Sequence, residues 1–237
     1  MANFIPSHLR NLTTKMSRKV PEVIVLFWVI KLLTTAMGEA TSDTMVHTMN
    51  PVVVVILGFI GFVIALVLQF WVKKYIAWIY WLTLTMVALF GTMAADVVHI
   101  VLGVPYLVST ISFSIALAVI FFLWYKTEHP LSIHSITTPR REIFYWLTVI
   151  TIFALGTAAG DTTAVTFNLG YLNSGIFFCI LFILPLIAYK LSGKYEVFTF
   201  WVAYIMTRPF GASFADLFGR TKNLGGLGFG TGKQHLY

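Results

Sequence analysis

Charge is what this sequence has little of. Only 11% of its 237 residues are Asp, Glu, Lys or Arg, against about a quarter in soluble domains, and its mean hydropathy is +0.85. That balance excludes an ordinary water-soluble fold. There is a single cysteine, Cys179, set in an apolar run, so disulfides within the chain and thiolate metal clusters are excluded and the residue reads as small packing. Strand-like alternation is missing, which argues against a β-barrel. No phosphate-binding loop, nucleophile triad or zinc-protease motif occurs, so no enzyme is predicted. No small-residue cleavage site follows a short hydrophobic core after the basic residues 1–19, so no signal peptide is expected.

What is present is apolar blocks, such as 52–72 and 111–125, that suit helices crossing a hydrocarbon core of roughly 30 Å. The reading is an all-α integral membrane protein with seven transmembrane helices at about 20–45, 51–73, 76–101, 104–125, 142–167, 171–191 and 195–218. A segment 1–19 precedes the bundle and a Gly-rich tail, 219–237, follows it. Arg10, Lys15, Arg18 and Lys19 precede span 1; Lys73, Lys74, Lys126, Arg140, Arg141, Lys190 and Lys194 lie in the loops on that same side. The opposite loops, around Asn50, Gly103 and Gly170, carry no Lys or Arg, so the positive-inside rule puts the N-terminus in the cytoplasm and Tyr237 outside. The net charge of +7 is thereby spent on membrane topology, and no nucleic-acid partner is expected.

The odd-numbered spans are copies of one another. FWVIKLLTTAMGEATSD, YWLTLTMVALFGTMAAD, YWLTVITIFALGTAAGD and FWVAYIMTRPFGASFAD each place Gly ten and Asp fifteen residues after the Trp. The positions are Trp28, Gly38 and Asp43; Trp81, Gly91 and Asp96; Trp146, Gly156 and Asp161; Trp201, Gly211 and Asp216. A Gly or Pro turn then opens the next span, so the unit is a helix pair, with repeats at about 20–75, 76–137, 138–193 and 194–237, the last incomplete. All odd helices run the same way, which makes the repeats parallel, about an axis near the membrane normal. The glycines suit close helix packing. The Trp and Tyr residues at span ends read as interfacial anchors.

An ionised carboxylate inside a bilayer is costly unless it faces protein or water. Five of the nine acids, Glu39, Asp43, Asp96, Asp161 and Asp216, fall in the repeat motif. Sharing one layer, they are expected to bind cations or protons, and oxygen ligands suit Mn²⁺, Ca²⁺ and Mg²⁺. His47 and His99 follow their aspartates by four and three residues and extend the candidate metal set. Arg208, before Pro209, and Lys31 are the two bases inside spans, candidate gating or counter-ion residues too few to neutralise five acids.

In GEATSD, GTMAADVVHIVLGVPY, GTAAGD and TRPFGASFAD the chain resembles a family of bacterial inner-membrane proteins usually labelled uncharacterised membrane-anchored proteins. The resemblance runs from Val20 onward and implies a multi-pass protein of the inner membrane. GEATSD and GTAAGDTT also resemble the Glu-x-Gly-Asp-basic-Thr motifs of Mn²⁺ and Ca²⁺ exchangers, although the basic residue is missing and the copy number differs. The leading expectation is a secondary transporter of a divalent cation, Mn²⁺ favoured, exporting it in exchange for protons, with no tightly bound cofactor. Homo-oligomer formation is left open. The alternatives are a haem-binding or redox subunit using His47 and His99, and a structural membrane protein. A retinal protein is disfavoured because span 7 has no lysine.

Overall fold

The structure is a computed structural model and describes residues 18–222 and 225–229; the side chains of His47, Ile100 and Val101 lie outside that description. Among the described residues there are seven long helices and no strand: α1 (Val25–Thr48), α2 (Pro51–Trp71), α3 (Ala77–Asp96), α4 (Tyr106–Glu128), α5 (Pro139–Asp161), α6 (Gly170–Ser192) and α7 (Glu196–Gly219). All seven expected spans are therefore helices. Their ends follow local chemistry. The Asn50 side chain accepts from the amides of Val52 and Val53, with Pro51 opening α2. Thr138 and Pro139 do the same for α5. Gly193 closes α6 with φ +61°. α1 begins later than expected because residues 18–21 take another course: Lys19 N bonds Ile136 O, and Arg18 O accepts from Tyr75 N.

Five helices, α2 to α6, are long and apolar enough to cross a membrane. α1 and α7 are not among them because they carry Lys31, Glu39 and Asp43, and Glu196, Arg208 and Asp216. Burial separates two layers. α3 and α5 bury 50% and 61% of their apolar windows, whereas α2, α4 and α6 bury 22%, 17% and 28%. The odd helices form the inner layer and the even helices sit outside.

The inner layer closes on itself. α1 packs on α3, α3 on α5, α5 on α7 and α7 back on α1. Each repeat glycine makes one of these contacts. A Cβ on Gly38 would lie 2.5 Å from Ala88 Cβ, on Gly91 3.1 Å from Phe153 Cβ, on Gly156 2.2 Å from Arg208 Cγ, and on Gly211 2.7 Å from Thr35 Cγ2. The residue met is always three positions before the glycine of the next copy. A contact that recurs in the same register and closes after four steps defines a pseudo-fourfold axis with parallel inner helices. At Gly38, Gly156 and Gly211 a Cβ would come closer than 3.0 Å, so a small residue is required there, and at Gly91 the fit is tight.

The outer helices obey the same symmetry, but the two-helix unit of the sequence is not the packing unit. Each even helix packs chiefly on the odd helix that follows it: Phe62 on Phe90, Trp124 on Phe144, Phe182 on Phe210, at ring separations of 5.2, 6.1 and 6.0 Å. Each also reaches the next odd helix along: Gln69 donates to Glu142 at 3.1 Å, Phe121 meets Trp201 at 5.0 Å, and Phe182 meets Trp28 at 5.6 Å. Seen down the axis, α2 covers the α3/α5 side, α4 the α5/α7 side and α6 the α7/α1 side.

Candidate functional site

The axis is polar at one end and aromatic at the other. At the tryptophan end, the residues preceding the motif tryptophans point inward. Tyr80 and Tyr145 are fully buried and joined through their hydroxyls, and Tyr145 is 3.4 Å from the Tyr204 hydroxyl. Phe27 lies 6.3 Å from Tyr204, and Trp146 and Trp201 are buried against the same cluster. These aromatics are therefore core rather than interfacial anchors, a correction to the sequence reading. Whatever the odd helices present to the axis is buried by the next copy, and the repeat carries that register through all four. The cluster closes the axis at this end.

One turn further on, Lys31 is fully buried with its Nζ 3.5 Å from the Tyr204 ring centre and 5.0 Å from that of Phe153. It makes no ion pair among the described residues, so the cation is held by ring faces. Next comes Arg208, also fully buried, carried inward by α7. Its Nη2 donates to Glu39 Oε2 and to the hydroxyls of Thr92 and Thr157, the last at 2.8 Å, and Thr92 donates to Glu39 at 2.9 Å. Glu39, Thr92 and Thr157 stand at equivalent positions of three copies, one residue after the glycine. Three helices thus converge on the guanidinium supplied by the fourth. Arg208 is the counter-ion of Glu39, as a base inside a span suggested, and the oxygens four residues before the aspartates form its cage.

The four aspartates follow one turn later, about 6 Å along the axis. Asp161 and Asp216 are buried, and Asp43 and Asp96 are half-buried. They are electrostatic neighbours: Asp43 senses Glu39 and Asp96, Asp96 senses Glu39 and Asp216, and Asp161 senses Asp216, Glu39 and Asp96. The sequence reading missed their principal partner. Arg220 Nε donates to Asp216 Oδ1 at 2.8 Å, and its Nη2 lies 3.9 Å from Asp43 Oδ2, over the Tyr171 ring at 5.4 Å. The signal was available, since Arg220 is four residues beyond Asp216 on a helix, but the residue was assigned to the tail. Asp96 and Asp161 make no ion pair among the described residues. Nor do any three His, Cys, Asp or Glu side chains among those residues close on a point that could hold a metal ion.

The tail positions Arg220. Leu227 N bonds Leu217 O, Gly228 N bonds Arg220 O at 2.9 Å, and Phe229 N bonds Phe218 O. A Cβ on Gly226 would lie 2.0 Å from Arg220 O, so the strap closes only around a glycine. After Asp96 and Asp161 the helices widen into π turns, Val97–Val101 and Thr162–Thr166, which the sequence reading ran on as helix ends. His99 sits on the first of them. Its Nδ1 is 3.1 Å from Val104 O, its ring centre lies 4.3 Å from that of Tyr106, and its buried Nε2 has no partner among the described residues. His47 lies on α1, its side chain outside the described residues.

Among the expected cytoplasmic bases, Lys19 pairs with Glu142 inside the tryptophan end, and Arg141 pairs with Glu128 at 3.3 Å. Arg10 and Lys15 lie outside the described residues.

Fold and site together define an all-α protein of four parallel repeats around a polar axis, closed at its tryptophan end. The chain belongs to the family described as Repeat of Unknown Function (DUF347), whose model matches four times, at residues 26–75, 79–130, 144–195 and 199–234. No curated protein and no solved structure matches it. The four matches begin within a few residues of the motif tryptophans, and the fourth is the shortest.

Proposed function

We propose that the protein spans a bacterial inner membrane seven times, with the N-terminus in the cytoplasm, and exchanges a divalent metal cation, Mn²⁺ favoured, for protons at the aspartate ring. The topology rests on the apolar helices and on the absence of Lys and Arg from the loops around Asn50, Gly103 and Gly170, against the basic loops at the tryptophan end. The observation that carries the function is the ring itself: four identical acids around one axis, of which Asp43 and Asp216 are engaged by Arg220 while Asp96 and Asp161 have no paired cation among the described residues.

The charge count supports a bound cation. Glu39 and the four aspartates face Arg208 and Arg220, so five formal negative charges meet two positive ones and a negative excess remains. Protons or a divalent cation balance it, and competition between them is the exchange. Arg220 stands in for part of the cargo: its guanidinium holds Asp43 and Asp216 towards each other, and metal entry requires it to swing away with its strap. The aromatic cluster shuts the opposite end, so the ring faces outside in this state. Release to the other side needs Tyr80, Tyr145 and Tyr204 to part, a rearrangement of inner helices around a fixed site.

The test is flux in proteoliposomes of Mn²⁺, Ca²⁺ and Mg²⁺ against an internal pH dye. Wild type is expected to move metal and protons in opposite directions, and Asp96→Asn and Asp161→Asn are each expected to abolish both signals. Arg220→Gln is expected to retain metal binding. Transport intact in both aspartate variants, or no metal-driven proton movement by the wild type, removes the proposal.

A further inference from the structure

Three sides of the inner square carry an outer helix along the tryptophan half, and the fourth, between α1 and α3, carries none there; α2 meets α1 only towards the aspartate end, where Val54 packs with Met45 and Val46. The α3 face that α2 covers runs through Ile79, Thr83, Met86 and Phe90; the corresponding α1 residues are Leu26, Ile30, Leu33 and Met37. Ile79 is 4% exposed, and its equivalent Thr199 on α7 is 8% exposed, whereas Leu26 is 57% exposed. Leu33 and Met37 are 64% and 52% exposed, and beside them lie Ala36 and Ala40. At the tryptophan end of the same side a cavity of about 430 Å³ opens between Leu26, Ile30 and Trp81. Its place matches that of Trp124 between Phe144 and Trp201, the outer-helix residue that fills the equivalent position on the α5/α7 side.

We propose that a second copy of this chain covers the α1/α3 side, forming a parallel two-fold dimer through it. The area suffices: two adjacent helices about 30 Å long, with side chains some 20 Å across, offer about 600 Å² per copy, above the roughly 1,000 Å² in total that a specific interface requires. The chemistry suits a two-fold contact between like surfaces. The α1 stretch from Leu26 to Ala40 exposes no charge, since Lys31 and Glu39 are buried and Arg18 and Glu22 line only the cavity at its tryptophan end, and the small Ala36 and Ala40, one turn apart, let parallel α1 helices approach closely in lipid. A symmetric pair covers both bare sides in one step. The inference is independent of what the aspartates bind.

The test uses the full chain in nanodiscs, in a Cys179→Ser background, with single cysteines at Leu26, Leu33 or Met37 and, as a lipid-facing control, at Ile115 on α4. Oxidation is expected to convert the α1 variants from 26.6 kDa to twice that mass and to leave the Ile115 variant monomeric. Ala40→Trp is expected to cut cross-linking at Leu33 more than tenfold while the Tm stays within a few degrees of wild type. A monomer by mass photometry with no α1 cross-link overturns the proposal, as does equal cross-linking at Ile115 or a co-purified polypeptide of another mass joined to α1.

Discussion

Removing Arg208 tests whether the axis is organised as described. The guanidinium is 0% exposed and Glu39 3%, so neither is rescued by water. In Arg208→Met the stem still fills the space beside Gly156, but Glu39 keeps only the Thr92 hydroxyl as donor among the described residues and is a buried carboxylate without its cation. Breaking such a pair from one side costs about 3–5 kcal/mol, whereas replacing both partners by neutral groups is often close to neutral. At about 2–4 °C per kcal/mol for a chain of this size, the single variant should melt about 6–20 °C below wild type. Glu39→Gln/Arg208→Met should recover more than half of that loss, a coupling of roughly 2 kcal/mol or more. Arg208→Lys should fall between, because the ammonium restores the charge and three donors, but its shorter stem does not bring them to where Nη2 meets Glu39, Thr92 and Thr157. The assay is tryptophan fluorescence against temperature in one detergent at fixed protein concentration. A double variant melting as low as the single one would refute the reasoning, since Arg208 would then be structural apart from Glu39. An unchanged Arg208→Met would refute it more directly.

Two further outcomes follow from the packing. Gly156→Ala and Gly38→Ala, whose Cβ atoms would meet Arg208 Cγ at 2.2 Å and Ala88 Cβ at 2.5 Å, should each lose about 1–3 kcal/mol by overpacking. Gly219→Ala, with nothing within 4 Å, should change stability little; equal melting of all three would remove the close-approach account. Tyr145→Phe takes away the hydroxyl between Tyr80 and Tyr204 and should cost about 1–3 kcal/mol, read as a lowered Tm, because the buried Tyr80 hydroxyl loses the one it is joined to.

Much of this architecture was legible in the chain because a helical repeat writes its own geometry. Fixed spacing of Trp, Gly and Asp placed the inner helices, their common direction and the layer of acids, and the closing ring of glycine contacts accounts for that spacing. What stayed hidden was of two kinds. Partners from different copies, such as Arg208 with Glu39 and Thr157, depend on which helices adjoin, and spacing along one chain does not encode that. The pairing of each even helix with the following odd one was hidden for the same reason. Local departures were hidden too: the π turns after Asp96 and Asp161 follow β-branched runs, VVHIV and TTAVT, that read equally well as helix. The tyrosines were misassigned because an aromatic at a span end has two good environments, lipid interface and core, and only the packing of four copies distinguishes them.

Fourfold repetition around an axis imposes a physical problem whose solution is visible layer by layer. A charged residue copied four times at the centre meets its own like. Three turns of the axis escape by divergence: Lys31, Leu84, Val149 and Tyr204; then Thr35, Ala88, Phe153 and Arg208; then Glu39, Thr92, Thr157 and Ala212. In these layers no charge occurs twice, and the acid of one finds the base of another. The next turn keeps four aspartates, although mutual repulsion is greatest there and substitution in a single copy would relieve it. Arg220, reached by folding back a glycine strap, attends to two of them and leaves Asp96 and Asp161. A layer that served packing alone could have diverged as its neighbours did. Keeping all four acids, with the compensating cation at the end of α7 rather than within the ring, is the arrangement expected where the remaining positive charge comes from outside the chain.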